Sequence, residues 1–144
     1  MDFGGGNPKR RDYNLKLLPS TLQWVEFAEH DFFASQTLLQ SSKVPFEIVA
    51  YHCQQIAEKY LKAVLIQNNL PVPFIHDLAK LNRLAQEGLP ELKRLESICE
   101  LLSPFGTATR YPGSAMAIGS EHMASVIDWA ESIRRLVRDA FELP

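Results

Sequence analysis

Four polar residues recur along one predicted helix at spacings that place them on the same face. His52, Gln55, Lys59 and Lys62 lie within about 80° of one another when successive residues are turned by about 100° around a helix axis. Two ammonium groups one turn apart, beside an amide donor, suit contacts with a phosphate or with a partner surface. The same pattern is typical of the solvated face of an amphipathic helix, so two interpretations stay open.

Arg110 combines the right side-chain type with the right sequence context to anchor an anion. It precedes Tyr111 and a proline in a segment rich in Pro and Gly. Because proline stiffens the backbone, the guanidinium fork can be pre-positioned for a phosphate or a carboxylate. The structural alternative is an internal ion pair with Asp31, Glu58 or Asp77, which would fix the loop to the rest of the fold.

His76 and Asp77 lie where an extended segment with two prolines meets a predicted helix start. Asp77 suits the N-cap position, where its carboxylate accepts a backbone N–H at the positive end of the helix. His76 is then a loop residue that packs on the neighbouring helix or faces a pocket. The predicted nucleotide or phosphate site therefore consists of Arg110, Tyr111, Gln55, Lys59, Lys62 and His76, and no residue is predicted to be catalytic.

A metal site is the alternative interpretation of the histidines. His52, His76, Asp77 and Asp128 follow the order H…HD…D of the ligands in metal-dependent phosphohydrolases, where a divalent metal activates a water against a phosphoester. Those enzymes place the His-Asp pair inside a helix, whereas Pro73 sets the pair here at a helix start. We therefore predict no metal ligands and no cofactor.

Hydrophobic periodicity predicts the elements that must position these residues. Apolar residues recur at helical spacing in five segments, and no segment alternates as a strand does. The predicted fold is an all-α, up-and-down helical bundle of about five helices. These helices run approximately over residues 20–40, 45–68, 78–87, 90–102 and 121–141, with a capping box of Ser20 and Gln23 at the first and Ser120 capping the last.

The segments outside the helices divide into an arm and a loop. Residues 1–19 contain a Gly triplet and a short basic cluster without any period, which predicts a flexible N-terminal arm before a single helical domain over 20–144. Residues 103–119 are rich in Pro and Gly and form a long loop that contains Arg110. Long loops in compact domains often carry function.

Composition limits the classes of function. The chain has 144 residues, which suit one domain, and a formal net charge of -2, so there is no overall positive field to hold duplex nucleic acid. No apolar run is long enough to span a membrane and no signal peptide is evident, which predicts a cytoplasmic protein without membrane association. Cys53 and Cys99 both fall in apolar-periodic segments and are predicted to be buried thiols.

The second helix leads to a family resemblance. The stretch AYHCQQIAEKYLKA at 50–63 resembles the signature of HEPN domains, small α-helical proteins associated with nucleotide binding. Three further segments resemble motifs of the same family in the same order: Ala28-Glu29-His30-Asp31, Ile75-His76-Asp77-Leu78 and Arg110-Tyr111-Pro112. The resemblance covers residues from about 20 to about 140.

This resemblance implies a dimeric bundle that binds a nucleotide or acts beside a minimal nucleotidyltransferase, in settings such as toxin–antitoxin pairs. The ribonuclease branches carry an Arg followed by four to six residues and a His, which act on the phosphate and the 2′-hydroxyl. This sequence lacks that pair, since Arg110 is followed by a His only at position 122. A non-catalytic module is therefore expected; an atypical ribonuclease and a ligand-free structural adaptor remain the alternatives.

Aromatic residues on the first helix indicate self-association. Trp24, Phe27, Phe32 and Phe33 are distributed around too much of the helix circumference for one face to bury them all in a small bundle. A homodimer, or a complex with a partner protein, would cover the surplus.

Overall fold

The computed structural model describes residues 17–107, 112 and 119–144, and these residues form five α-helices and no strand. The predicted all-α bundle of five helices is therefore confirmed. The helices are α1 (Pro19–Leu39), α2 (Phe46–Gln67), α3 (Leu78–Ala85), α4 (Glu96–Leu102) and α5 (Ser120–Ala140), with 3-10 segments at Pro90–Leu95 and Ser103–Gly106.

Helix α2 lies at the centre of the bundle and packs against α1, α3 and α5. Its apolar residues recur every three or four positions, so one broad face is buried along the whole helix. Burying one large apolar side chain contributes about 1.5–3 kcal/mol, so this face stabilises the helix far more than helix propensity does. Where α2 packs against α5, both helices carry buried residues: Ile56, Tyr60, Val64, Val126, Ala130 and Ile133.

The end of α2 sets the path of the segment that carries His76. Asn69 adopts a left-handed conformation with φ of 56°, and the Leu70 N–H donates to the Leu65 carbonyl at 2.9 Å, which closes the last turn. A Cβ on Gly88 would lie 2.3 Å from the side chain of Asn68, so only glycine fits beside this turn. The prolines that follow cannot continue the helix, and the chain runs without regular structure to the start of α3.

The predicted capping box at the first helix is wrong. Helix α1 begins at Pro19, one residue before Ser20, and no side chain caps it. Proline is favoured at the first helical position, because its fixed φ suits a helix and a backbone N–H at this position would have no partner within the helix. The N–H of Leu18 is satisfied instead by a distant acceptor, the side-chain oxygen of Gln67 at 3.0 Å.

Two other predicted helix starts also need correction. Ser120 is the first residue of α5 rather than its cap, and the preceding Gly119 donates its N–H to Nδ1 of His122 at 3.4 Å. The fourth predicted helix is divided, because the six residues from Pro90 form a 3-10 segment before α4 begins at Glu96. Short 3-10 turns are common at the ends of α-helices.

Cys53 and Cys99 are both free, buried thiols, as the sequence predicted. Burial raises the pKa of Cys53 to about 12 and that of Cys99 to about 11, so both stay protonated at neutral pH. Among the described helices, none combines the length and the apolar character needed to cross a membrane.

Candidate functional site

Asp31 of α1 joins the first two helices through two partners on α2, His52 and Lys59. It is 8% exposed, and its carboxylate contacts Nδ1 of His52 at 2.7 Å and accepts a hydrogen bond from Nζ of Lys59. Burial by itself would raise the pKa of Asp31, but the bonds from His52 and Lys59 outweigh it, and the pKa is lowered below its ordinary value. Asp31 is therefore a charged residue that pins α1 to α2.

Glu29, two residues earlier, forms a second polar cluster between α1, α2 and α5. Arg134 donates to both of its oxygens, at 2.7 and 2.8 Å, while the Tyr60 hydroxyl donates to Oε2. Burial would raise the pKa of Glu29, but the bonds from Arg134 and Tyr60 and the charge of Arg138 lower it overall. The Arg134 guanidinium also lies 3.8 Å from the centre of the Phe32 ring, a cation–π contact.

Glu58 of α2 is the most buried of the three carboxylates, with 4% of its surface exposed. Lys62, one turn along the same helix, donates to it at 3.1 Å, and Gln54, one turn before, donates at 3.3 Å. Nδ1 of His76 contacts the same carboxylate at 2.9 Å. The Lys62 ammonium also lies 5.7 Å from the centre of the Trp24 ring. Glu58 therefore links the loop before α3 to the central helix.

These contacts decide what the polar stripe of α2 faces. His52 and Lys59 both turn towards Asp31, and Lys62 is only 6% exposed, so the interpretation as a solvated face is wrong for this lysine. Gln55 donates to the neighbouring side chain of Gln54 at 2.8 Å. His52, Lys59 and Lys62 of the stripe form a polar lining between α1 and α2, and the two ammonium groups already have carboxylate partners.

A pocket lies where the segment before α3 meets the end of α4. The His76 carbonyl accepts from Nε2 of Gln54 at 3.1 Å and from the Ser103 hydroxyl at 3.4 Å, while Ser103 accepts the Leu78 N–H at 2.9 Å. These bonds hold His76 at the rim of a cavity of 450 Å³. Its lining includes His76, Asp77, Glu100, Ser103, Gly106 and Thr107.

Asp77 caps α3, as the sequence predicted, because its Oδ1 accepts the N–H of Lys80 at 3.2 Å. The cap leaves the second carboxylate oxygen available at the pocket. Gly106 forms the opposite wall, and a Cβ there would lie 2.7 Å from the end of the buried Gln54 side chain. A glycine at this position therefore lets the 3-10 segment approach α2 closely.

The structure places the six predicted site residues in different surroundings. His76 lies at the pocket, whereas Gln55, Lys59 and Lys62 lie along α2 and two of them have carboxylate partners. Arg110 and Tyr111 fall outside the described residues. Thr107, three positions before Arg110, lines the pocket.

Sequence reasoning missed Glu100, Ser103 and Thr107 as pocket residues. A Ser followed by Pro and Gly marks a turn, and this was the only local signal that the chain folds back there. It also missed Glu58 as the centre of a cluster, although Gln54, Glu58 and Lys62 are spaced four residues apart, which is the spacing of helical side-chain pairs.

The four residues of the metal alternative do not form a metal centre. Among the described residues, no group of three or more His, Cys, Asp or Glu side chains is arranged to hold a metal ion. His52 is directed to Asp31 and His76 to Glu58, while Asp128 is exposed on α5. The phosphohydrolase arrangement is therefore contradicted by the geometry.

Comparison with known proteins gives one match. A family model described as HEPN domain matches residues 21–140, which is most of the chain. No curated protein and no solved structure matches.

Proposed function

This chain belongs to the HEPN domain family, and from that premise we propose that it is a non-catalytic module that binds a nucleotide and acts as a dimer beside a minimal nucleotidyltransferase. One observation carries the nucleotide-binding part. The His76-Asp77 segment, the end of α4 and the start of the loop that contains Arg110 meet at one pocket. Gln54 and Glu58 of the helix-2 signature contact His76 from α2, and Ser103 lines the pocket from the end of α4.

The size and lining of the pocket support this proposal. Its volume of 450 Å³ lies within the range of about 300–1,000 Å³ that is usual for small-molecule sites. Imidazole, carboxylate and hydroxyl groups converge on it from three chain segments, which gives several directional contacts for a polar ligand. The hydrogen bonds around the His76 carbonyl hold one rim in place before any ligand binds.

Arg110 is the proposed phosphate anchor. Lys59 and Lys62 already neutralise Asp31 and Glu58, so new phosphate contacts from them would have to compete with existing ion pairs. Arg110 follows the pocket residue Thr107 by three positions, and the chain cannot separate their Cα atoms by more than about 11 Å. We propose that Tyr111 and His76 complete the contacts, with Gln55, Lys59 and Lys62 at the edge of the site.

Nucleotide titrations of the Arg110→Ala variant test this site. Losing a hydrogen-bonded charge contact should cost about 1.5–3 kcal/mol of binding free energy, or roughly 10- to 150-fold in affinity, with an unchanged melting temperature. The matched control is Arg94→Ala, because Arg94 is exposed on the 3-10 segment before α4. Lys59→Ala should lower the melting temperature because it leaves Asp31 with one partner fewer. Equal affinity in Arg110→Ala and the wild type would refute the anchor.

Exposed apolar residues on α1 support the dimer. Leu22, Phe27 and Phe33 are 44%, 54% and 72% exposed on the helix predicted to self-associate. Burying such side chains against a second copy would recover apolar contact area. Light scattering across a concentration series should give twice the monomer mass, and Phe27→Glu should shift the protein towards the monomer. A monomer mass at every concentration would refute the homodimer.

A further inference from the structure

Phe74 is fully exposed and lies two residues before the pocket residue His76. Its relative exposure is 102%, and no ring contact or core contact to it occurs among the described residues. A large aromatic ring that is exposed in this way has both faces available for stacking on a planar ligand.

The local chain direction places Phe74 next to His76. Ile75, between them, packs against the core, so Phe74 and His76 both stand on the outer side of this segment. The Cα atoms of Phe74 and His76 can be separated by at most about 7 Å, so a single ligand can reach both residues. Pro71 and Pro73 restrict the backbone before the ring, which reduces the entropy lost when a ligand fixes it.

The charge of the pocket lining decides which end of a nucleotide it suits. Asp77 and Glu100 contribute two carboxylates. No described residue donates a hydrogen bond to the Glu100 side chain, and Asp77 uses Oδ1 for the cap of α3. Two carboxylates repel a phosphate but accept hydrogen bonds from N–H and O–H groups. The pocket is therefore better suited to a base and a ribose than to a phosphate.

We infer that this pocket binds the nucleoside end of the ligand, with the base stacked on Phe74 and its N–H donors facing Asp77 and Glu100. The inference rests on the proposed nucleotide-binding function and specifies the ligand class. Guanine is the favoured base, because one of its edges carries two adjacent N–H donors. Adenine instead presents a ring-nitrogen acceptor beside its single amino group, which would face the carboxylates with a lone pair. The phosphate then extends outwards from the pocket.

Calorimetric titrations of the full chain with GMP, AMP and ribose 5-phosphate test this inference. Wild-type protein should bind GMP most tightly and ribose 5-phosphate most weakly. Phe74→Ala should weaken GMP binding by about 5- to 150-fold, the usual effect of removing one base-stacking ring, and should leave ribose 5-phosphate unchanged. Phe74→Trp should preserve GMP binding. Leu84→Ala, which removes an exposed apolar side chain of α3 outside the pocket lining, is the matched control.

Two further variants test the carboxylates of Glu100 and Asp77. Glu100→Gln should reduce the preference for GMP over AMP, and Asp77→Asn should do the same while it keeps a side chain that caps α3 well. A preference for AMP, or an equal loss of all three ligands in Phe74→Ala, would overturn the inference and leave nucleotide binding intact. Failure of the wild type to bind any of the three ligands would overturn this inference together with the proposed function.

Discussion

The lining between α1 and α2 and the pocket before α3 use the same residue types and place them in opposite situations. Along the lining, Asp31 and Glu58 are almost fully buried, and every charge has a partner on a neighbouring turn or helix. At the pocket, Asp77 and Glu100 are exposed and lie at the edge of a cavity. His76 belongs to both regions, because its ring contacts Glu58 while the residue lines the pocket.

The difference shows that burial and the available partners, rather than the residue type, decide whether a charged side chain stabilises the fold or can bind a ligand. A buried carboxylate stabilises the fold only while its hydrogen-bonded partners stay in place, because an unpaired buried charge is very costly. An exposed carboxylate loses little when it changes partners, so it can take part in binding. Substitutions in the lining should therefore affect stability, and those at the pocket should affect binding.

Removal of Glu58 should have the largest effect on stability. Glu58→Ala leaves the Lys62 ammonium, whose side chain is 7% exposed, without its carboxylate, and should lower the free energy of unfolding by about 3–5 kcal/mol. Urea denaturation measures the change.

Two controls belong with this experiment. Glu87→Ala removes an exposed carboxylate and should change stability by less than about 0.5 kcal/mol. The double variant Glu58→Met with Lys62→Met should recover most of the loss, because it removes both charges and keeps the volume filled. A loss below about 1 kcal/mol in Glu58→Ala would show that the pair is hydrated and would remove the contrast with the pocket.

Asp31→Asn should have the next largest effect, together with a defined pH dependence. Losing the charged bonds to His52 and Lys59 should cost about 1.5–3 kcal/mol of unfolding free energy near neutral pH. The folded-state pKa of Asp31 lies below its ordinary value of 3.8, so its charge stabilises the fold above that pH. As the pH falls below 3.8, the wild type progressively loses this contribution and the difference between the two proteins should shrink.

Unfolding free energies at several pH values, compared with those of Asp128→Asn, check this prediction. Asp128 is exposed on α5, and its substitution should leave both stability and pH dependence nearly unchanged. A difference between Asp31→Asn and wild type that stays constant down to low pH would contradict the ionised Asp31.

Gly106→Ala should have the smallest effect on stability and a clear effect on the pocket. The new Cβ would lie 2.7 Å from the fully buried end of Gln54, so the 3-10 segment or Gln54 must shift, at a cost of about 1–3 kcal/mol. Because Gln54 holds the His76 carbonyl, ligand affinity should fall as well. Thermal unfolding and nucleotide titration measure the two changes.

Gly119→Ala is the matched control for this glycine. A Cβ there would meet only the end of the Glu121 side chain, which is 71% exposed and free to turn away. The stability of the Gly119→Ala variant should therefore stay close to that of the wild type. Equal effects of the two substitutions would show that the close approach of Gly106 to α2 is not important.

How well the sequence predicts a feature depends on how far apart along the chain the interacting residues lie. The helices and the buried face of α2 were predictable because apolar periodicity acts over a few turns. The Asp77 cap was predictable because its acceptor and donor are three residues apart. The capping box at Ser20 failed because a second local signal, the proline at position 19, placed the helix start one residue earlier.

The site itself was only partly predictable. His76 was singled out, but its contact with Glu58 spans 18 residues and the contact of His52 with Asp31 spans 21. No local pattern shows which charged residue another will meet over such separations. The stripe on α2 was recognised as one face, but whether this face met water, a phosphate or α1 depended on how the helices pack.

By itself, the sequence determined an all-α bundle, the buried face of α2, the cap of α3 and the family to which the chain belongs, because each depends on periodicity, on neighbouring residues or on ordered motifs. Only the tertiary structure decided that Lys59 and Lys62 pair with Asp31 and Glu58, and that His76, Ser103 and Thr107 surround one pocket. The physical reason is that helix packing brings residues together that are distant in the sequence. Because a buried charge is costly without a partner, the partner that packing supplies determines the role of that charge.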